Sequence, residues 1–306
     1  MIAILIHKIL SLAVIMAIGW AMVKFRVLKP EDSRVLSTLS LYLIMPCMIL
    51  SSFQVDYTDQ IIKGLLLAFL AAAIIEVILI LFGTMLGKSM HLNPVEQSSV
   101  IYSNAGNLIV PLVTAILGRD WVIYTSGLLF VQLVLLFTHG KQLLCRDSGF
   151  QLKKLLLNPN ILAIGLGIFL FLTRIRLPGL LGDSVDSVGS TVGPVAMLVT
   201  GMLIGNTDLK KIRSYRRIWL IAFLRLIAAP TLSLLFLKFS GITRLVPDGK
   251  QILLVTFLAV TTPAASTVTQ FAQVYGEDAE YASAINVVTT LLCIFTIPLM
   301  VMLYQL

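Results

Sequence analysis

The sequence predicts an all-α polytopic membrane protein whose ten transmembrane helices form two inverted repeats of five. Its 306 residues are 58% hydrophobic and only 12% charged, and the mean hydropathy is +0.96. A soluble domain carries about 25% charged residues, so an ordinary cytosolic enzyme is excluded. The apolar residues fall in long runs rather than in alternation, which disfavours a membrane β-barrel. The third observation is a pair of proline-interrupted segments, one in each half of the chain.

Ten apolar stretches are long enough to be counted as spans, because about 20 residues cross the hydrocarbon core of a bilayer. The first one lacks a small-residue cleavage site, which favours a retained helix over a signal peptide. The connections between the stretches are short, so we expect the function to lie within the membrane. The predicted spans are residues 4–23, 35–53, 61–85, 95–117, 121–138, 159–175, 186–205, 217–237, 250–272 and 280–303.

The basic residues predict the orientation. The odd-numbered loops hold 14 Lys and Arg, whereas the N-terminus and the even-numbered loops hold 8. This bias places the odd loops in the cytoplasm and both termini outside, in a multi-pass protein of the cytoplasmic membrane. The net charge of +8 is therefore assigned to topology, and no nucleic-acid partner is expected.

Three short matches between the halves indicate an internal repeat, with residues 1–150 as the first copy and 151–306 as the second. Each copy holds five spans, and an odd number forces the second copy to enter the membrane from the opposite face. Inverted repeats are typical of secondary transporters, whose substrate site lies near the midplane. The matches are residues 17–19 with 163–165 (offset 146), Pro46 with Pro194 (offset 148) and Gly118 with Gly276 (offset 158).

The fourth and ninth spans each contain a proline among small polar residues, at 103–111 and 261–267. Proline removes a helical hydrogen bond, and a helix broken at the midplane presents free amide groups and the positive end of its dipole. With neutral donors beside them, such ends can hold a carboxylate, and small residues let the two segments approach and cross. The alternative is a pair of proline-kinked helices whose asparagines bond a neighbouring helix. The predicted substrate-binding residues are Asn104, Gly106, Asn107, Pro111, Thr262, Pro263, Ser266 and Thr267.

Ionisable residues inside spans are costly and are treated as functional by default. Glu76 in the third span and Arg225 in the eighth occupy equivalent places in the repeat and can lie at similar depth. Glu76 either couples transport to protons or holds the asparagine segment in place, and Arg225 either pairs with it or extends toward the cytoplasm. Gln132 and Asn286 are lone polar groups that either join helices or belong to the site.

At these residues the chain resembles the auxin efflux carrier family, the bacterial permeases similar to plant PIN carriers. The resemblance rests on Asn104, Gly106 and Pro111 with the following Leu-Gly pair, and on Pro263 with Tyr275-Gly276. It implies an NhaA-like fold in which helices 4 and 9 cross at their breaks. Helices 1, 2, 6 and 7 then form a scaffold, and helices 3–5 and 8–10 form a transport domain that moves as an elevator.

The resemblance implies an organic anion as substrate, auxin in plants and dicarboxylates such as malate or malonate in some bacterial members. Glu76 and Gln132 then support the crossover. Many bacterial members read N-x-G-F-x-G-x-P at the first break, whereas this chain has Asn107, Leu108, Ile109 and Val110 before Pro111. The substrate itself is therefore not transferred from the family.

The same residues also bear on other functional classes, on cofactors and on partners. The spans contain no catalytic motif, so the chain is predicted not to be an enzyme, with no cofactor and no metal. A channel would require charged rings or pore-lining repeats. The alternatives kept are a sodium-coupled carrier of the bile-acid symporter type and a cation exchanger of the same fold. The expected partners are a small organic anion and membrane lipid, while coupling to protons or sodium and a homodimer through the scaffold helices stay open.

Overall fold

The computed structural model describes residues 2–145, 156–206 and 215–306, and the regular secondary structure of these ranges is entirely helical. We number the helices in chain order and count a helix that continues through a short π or 3₁₀ turn as one. They are α1 (Ile2–Lys24), α2 (Asp32–Ser52), α3 (Asp59–Ser89), α4 (Pro94–Ile101), α5 (Ala105–Ile116), α6 (Arg119–Leu144), α7 (Pro159–Thr173), α8 (Gly179–Gly189), α9 (Val192–Asn206), α10 (Ile218–Phe239), α11 (Gly249–Val260), α12 (Ser266–Tyr275) and α13 (Ala279–Gln305).

Six helical segments in the described ranges are long and apolar enough to cross a membrane: α2, α3, α6, α8 with α9, α10 and α13. The all-helical class is thereby confirmed, and the count of ten spans stays a prediction. The boundary predicted between the two repeats, at residues 150 and 151, lies outside the described residues.

Helix boundaries differ from the predicted spans where polar residues extend a helix beyond its apolar part. α3 runs over 31 residues, and the side chain of Thr58 caps it by accepting a hydrogen bond from the amide of Ile61. The predicted seventh span at 186–205 is made by α8 and α9, which begin earlier, at Gly179, and are separated only by residues 190 and 191. Sequence hydropathy locates the apolar part of a helix, whereas caps decide where it begins and ends.

Helices α1 and α9 pack with their backbones in contact. A Cβ at Gly19 or Gly201 would overlap the main chain of the opposite helix, at Leu198 and Met16 respectively, and Gly205 lies against Val23. Gly201 and Gly205 form a small-xxx-small pair, the pattern that lets membrane helices approach closely. We call this contact the glycine seam.

The buried core lies around α11. Every residue from Ile252 to Val260 is buried, and a helix that is apolar on all sides is surrounded by other helices. By contrast, α7 exposes Leu162, Leu166 and Phe169 along one face. α11 therefore runs through the centre of the molecule, where its end contributes to the site described next.

Candidate functional site

The first helix break separates α4 from α5. A capping box between Asn93 and Glu96 starts α4, and the helix ends at Ile101 because Tyr102 is extended, with φ −93° and ψ 131°. Asn104 has φ −83° and ψ 44°, and α5 begins at the next residue. The break thus comprises residues 102–104 and begins one residue before the predicted segment, and Pro111 lies inside α5.

The second break separates α11 from α12. α11 ends at Val260 and α12 begins at Ser266, after Ala265 with φ −63° and ψ 128°. Pro263 has no amide hydrogen and so cannot continue the helix. The break comprises residues 261–265, within the predicted segment.

The two breaks meet and pair through their main chains. The amide of Asn104 donates to the carbonyl oxygen of Pro263 at 2.8 Å, and the amide of Ala265 donates to that of Tyr102 at 3.0 Å. Ser103 and Ala264 form an antiparallel bridge between these two bonds. Unwound backbone within a membrane must be satisfied by protein or line a cavity, and here each break satisfies part of the other. We call residues 102–104 and 263–265 the paired breaks.

The amino ends of α5 and α12 lie beside each other at the paired breaks. The hydroxyl of Ser266, the first residue of α12, is 3.5 Å from Oδ1 of Asn104, which precedes α5. The first amide groups of a helix have no carbonyl partner one turn earlier in that helix, and they carry the positive end of its dipole. Thr267 is half-buried in the first turn of α12, and the side chain of Asn107 lies outside the described part of the structure.

The opposite, carbonyl ends of α4 and α11 converge on one buried guanidinium. Arg225 is fully buried, with 0% exposure, in a π-helical turn of α10, Leu224–Ala228. Its guanidinium neutralises the negative ends of both helix dipoles. The expected alternative, extension toward the cytoplasm, is wrong. The bonds run from Nε to Thr262 O (3.2 Å), from Nη1 to Val100 O (3.1 Å) and Ile101 O (3.2 Å), and from Nη2 to Val260 O (2.6 Å).

Glu76 of α3 lies close to this cluster. Its side chain is 1% exposed and interacts electrostatically with Arg225, without a direct ion pair between the two. Within the described residues its Oε2 atom has no hydrogen-bond partner. The predicted similar depth agrees with this electrostatic contact, whereas direct pairing is not present.

Two amide side chains, one from α6 and one from α13, bind the paired breaks. Gln132 of α6 donates from Nε2 to the carbonyl of Ser103 at 2.5 Å and accepts from the hydroxyl of Ser103 at 2.6 Å. On the other side Asn286 of α13 donates to the carbonyl of Ala264 at 2.6 Å, and Thr289 accepts from the amide of Ala264 at 3.2 Å. Sequence reasoning missed Thr289, although its spacing of three residues from Asn286 places both on one face of an apolar helix.

The remaining predicted residues lie in different surroundings. Thr262 is fully buried, and its hydroxyl donates to the carbonyl of Ala259 near the end of α11, so it belongs to the carbonyl end rather than to the amide end. Gly106 faces α2, since a Cβ there would lie 2.5 Å from Cε of Met45. Pro111 lies against α9, because a Cβ at Gly193 would meet its ring at 2.7 Å.

An apolar cleft adjoins α5. It is lined by residues of α1, α5, α9 and α13. Leu108 and Leu112 form the α5 side. Thr290 lines it from α13, and the Thr290 hydroxyl has no hydrogen-bond partner among the described residues. The cleft therefore offers apolar surface with one polar group.

Interrupted helices that meet inside a helical membrane protein define the class of a membrane transport protein. A family model described as membrane transport protein matches residues 4–148 and again residues 143–301. The chain therefore belongs to this family, the auxin efflux carrier or PIN-like membrane transport family. A comparison with curated proteins gives no match.

Proposed function

We propose that the chain is a secondary transporter that moves a small organic anion, such as a mono- or dicarboxylate or an auxin-like acid, across the cytoplasmic membrane. One observation carries the proposal: the two paired breaks meet. The amide ends of α5 and α12 lie side by side there, and Arg225 binds the carbonyl ends of α4 and α11. This arrangement separates positive from negative helix ends, so a site at the amide ends favours an anion.

The chemistry of the amide ends supports an anion rather than a cation. Asn104, Ser266 and Thr267 supply neutral polar groups there, and residues 103–111 and 261–272 include no Asp or Glu. A cation exchanger requires acidic oxygens at the same place. A carboxylate substrate held by main-chain amides and neutral side chains needs no buried counter-charge.

We further propose an elevator movement between two groups of helices. The scaffold group is α1, α2, α7, α8 and α9, and the mobile group is α3–α6 and α10–α13. Contacts between the groups use small or flexible residues, Gly106 against Met45 and Pro111 against Gly193, and the apolar cleft beside α5 lies between the groups. Gly106 and Gly193 add no side chain to these contacts, which favours sliding of one group over the other.

Counterflow in proteoliposomes tests the substrate class. Vesicles loaded with a mono- or dicarboxylate should exchange it for the labelled acid, and the variants Asn104→Ala and Ser266→Ala should lower the exchange at least tenfold. Ser233→Ala is the matched control, because the Ser233 hydroxyl is buried and donates to the carbonyl of Ala229 in its own helix. Normal exchange by Asn104→Ala, or no exchange of any acid by the wild type, would reject the proposal.

The coupling ion is tested on the same vesicles. We propose that Glu76 carries the coupling proton, because its carboxylate is buried and its Oε2 atom has no hydrogen-bond partner in the described part of the chain. Glu76→Gln should keep exchange but lose accumulation driven by a pH gradient. Accumulation driven by a sodium gradient alone would instead favour the carrier of the bile-acid symporter type.

A further inference from the structure

A polar cluster joins the two helix groups at one end of the molecule. Arg119 begins α6, directly after α5, and its guanidinium forms an ion pair with Asp186 of α8. Nη2 of Arg119 also donates to the hydroxyl of Ser51 in α2 at 3.1 Å. That hydroxyl donates in turn to Oδ1 of Asp186 at 2.8 Å. All three side chains are therefore hydrogen-bonded to one another.

Two members of the cluster are fixed to each other by helix packing. α8 lies directly on α2, since a Cβ at Gly189 would come within 2.7 Å of the backbone of Met48. Ser51 and Asp186 are each three residues from this contact point, on the side that faces Arg119. They form a preset acceptor pair on the scaffold group.

Arg119 lies at the connection between α5 and α6 in the mobile group. Gly118, immediately before it, has φ 101°, in the region that favours glycine. A Cβ at Gly118 would meet no atom within 4 Å. The guanidinium is therefore attached to α5, and so to the amide end of the proposed site, through a short segment that contains Gly118.

We infer that Arg119, Ser51 and Asp186 form a latch that holds the mobile group against the scaffold group in the conformation described here. The inference rests on the proposed division into these two groups. The latch lies at the end of the molecule that the basic-residue bias predicts to be extracytoplasmic, so it closes that side. Movement of the mobile group requires Arg119 to leave both acceptors, which are hydrated once they separate.

The energy of the latch is suited to a reversible contact. The side chains of Arg119 and Asp186 are 62% and 37% exposed, and exposed ion pairs are weak and are screened by salt. We expect its loss to shift the ratio of the two conformations about 2- to 5-fold. A contact of this size biases the equilibrium without preventing the return movement.

Spin-label distances between the two groups test the latch. Labels at Thr114→Cys on α5 and Ser184→Cys on α8, both exposed, report separation of the groups in a chain whose three native cysteines are replaced. Arg119→Glu should increase the population with long distances 2- to 5-fold, and the double variant Arg119→Glu/Asp186→Arg should restore the wild-type distribution. Identical distributions for the wild type and Arg119→Glu would overturn the inference.

Arg176 supplies the matched control. It forms an exposed ion pair with Asp56 and bonds the carbonyl of Gln54. These two partners lie in the loop between α2 and α3 and not on a helix of the mobile group. Arg176→Glu should leave the distance distribution unchanged.

Anion exchange is the second measurement, made on chains that keep their native cysteines. The exchange rate should change in Arg119→Glu and recover in the double charge reversal, and a rate that the double variant does not recover would count against the latch. If the wild type exchanges no anion, the proposed function fails, whereas the distance measurement still decides on the latch.

Discussion

Replacing Arg225 by methionine tests whether one guanidinium holds the two broken helices together. Methionine is apolar and fills a similar volume, but it supplies none of the four hydrogen bonds to the carbonyls at the ends of α4 and α11. The carbonyl oxygens then lose the Arg225 donors in a fully buried place, and the positive charge of Arg225 no longer opposes the two negative helix ends. We expect Arg225→Met to destabilise the protein strongly and to abolish transport.

The magnitude follows from the number of groups left unsatisfied. Each buried acceptor that loses its partner lowers the free energy of unfolding by about 1–3 kcal/mol. The four bonds are neighbours and relax together, so these losses do not add. Breaking a buried charged cluster typically costs about 3–5 kcal/mol. At about 2–4 °C per kcal/mol for a larger domain, the melting temperature should fall by about 6–20 °C.

The assay is thermal unfolding in detergent, followed by tryptophan fluorescence, with Arg244→Met as control. Arg244 is exposed, and exposed substitutions usually change stability by no more than about 0.5 kcal/mol. Arg225→Lys should have an intermediate melting temperature, because a single ammonium group cannot reproduce the planar set of donors of a guanidinium. A melting temperature for Arg225→Met within about 1 °C of the Arg244→Met value would refute the reasoning.

Three further substitutions probe other contacts. Gln132→Leu removes both hydrogen bonds to Ser103; it should cost about 1–3 kcal/mol and reduce counterflow, and normal values for both would show that the first break needs no support from α6. Gly201→Leu places a side chain against the backbone of α1 in the glycine seam; it should cost at least about 1–3 kcal/mol, measured as lower detergent stability, while a stable variant would contradict close backbone packing. Tyr281→Phe removes the hydroxyl that donates to buried Glu96 at 3.0 Å; a loss of about 1.5–3 kcal/mol is expected, and no loss would mean that water replaces this bond.

The positions of both breaks were readable from the sequence because each depends on local chemistry. Asn104 and Pro263 lie where glycine, proline and small polar residues interrupt an apolar run, and such residues have a direct effect on their own backbone. The first break nevertheless begins at Tyr102, upstream of the predicted segment. Pro111 is tolerated within α5, so a proline marks the neighbourhood of a break rather than its place.

The partners of Arg225 were not readable, because they are main-chain carbonyls and a carbonyl belongs to every residue type. The sequence gives the depth of Arg225 and of Glu76 through helix rise, and hence an expectation that they pair. The sequence does not reveal that the carbonyl groups at the ends of α4 and α11 bind the guanidinium in place of Glu76. For the same reason the sequence predicts Thr262 as a substrate ligand, although its hydroxyl donates to a carbonyl of the preceding helix.

The paired breaks are joined by main-chain atoms, so their junction does not depend on which side chains surround it. The two bonds between Asn104 and Pro263 and between Ala265 and Tyr102 use only amides and carbonyls. The side chains at the junction can therefore be exchanged without dismantling it, provided that each donor amide remains. Under the proposed function, a change of substrate requires only a few new side chains around this main-chain frame, so the junction is the place to begin when selectivity is redesigned.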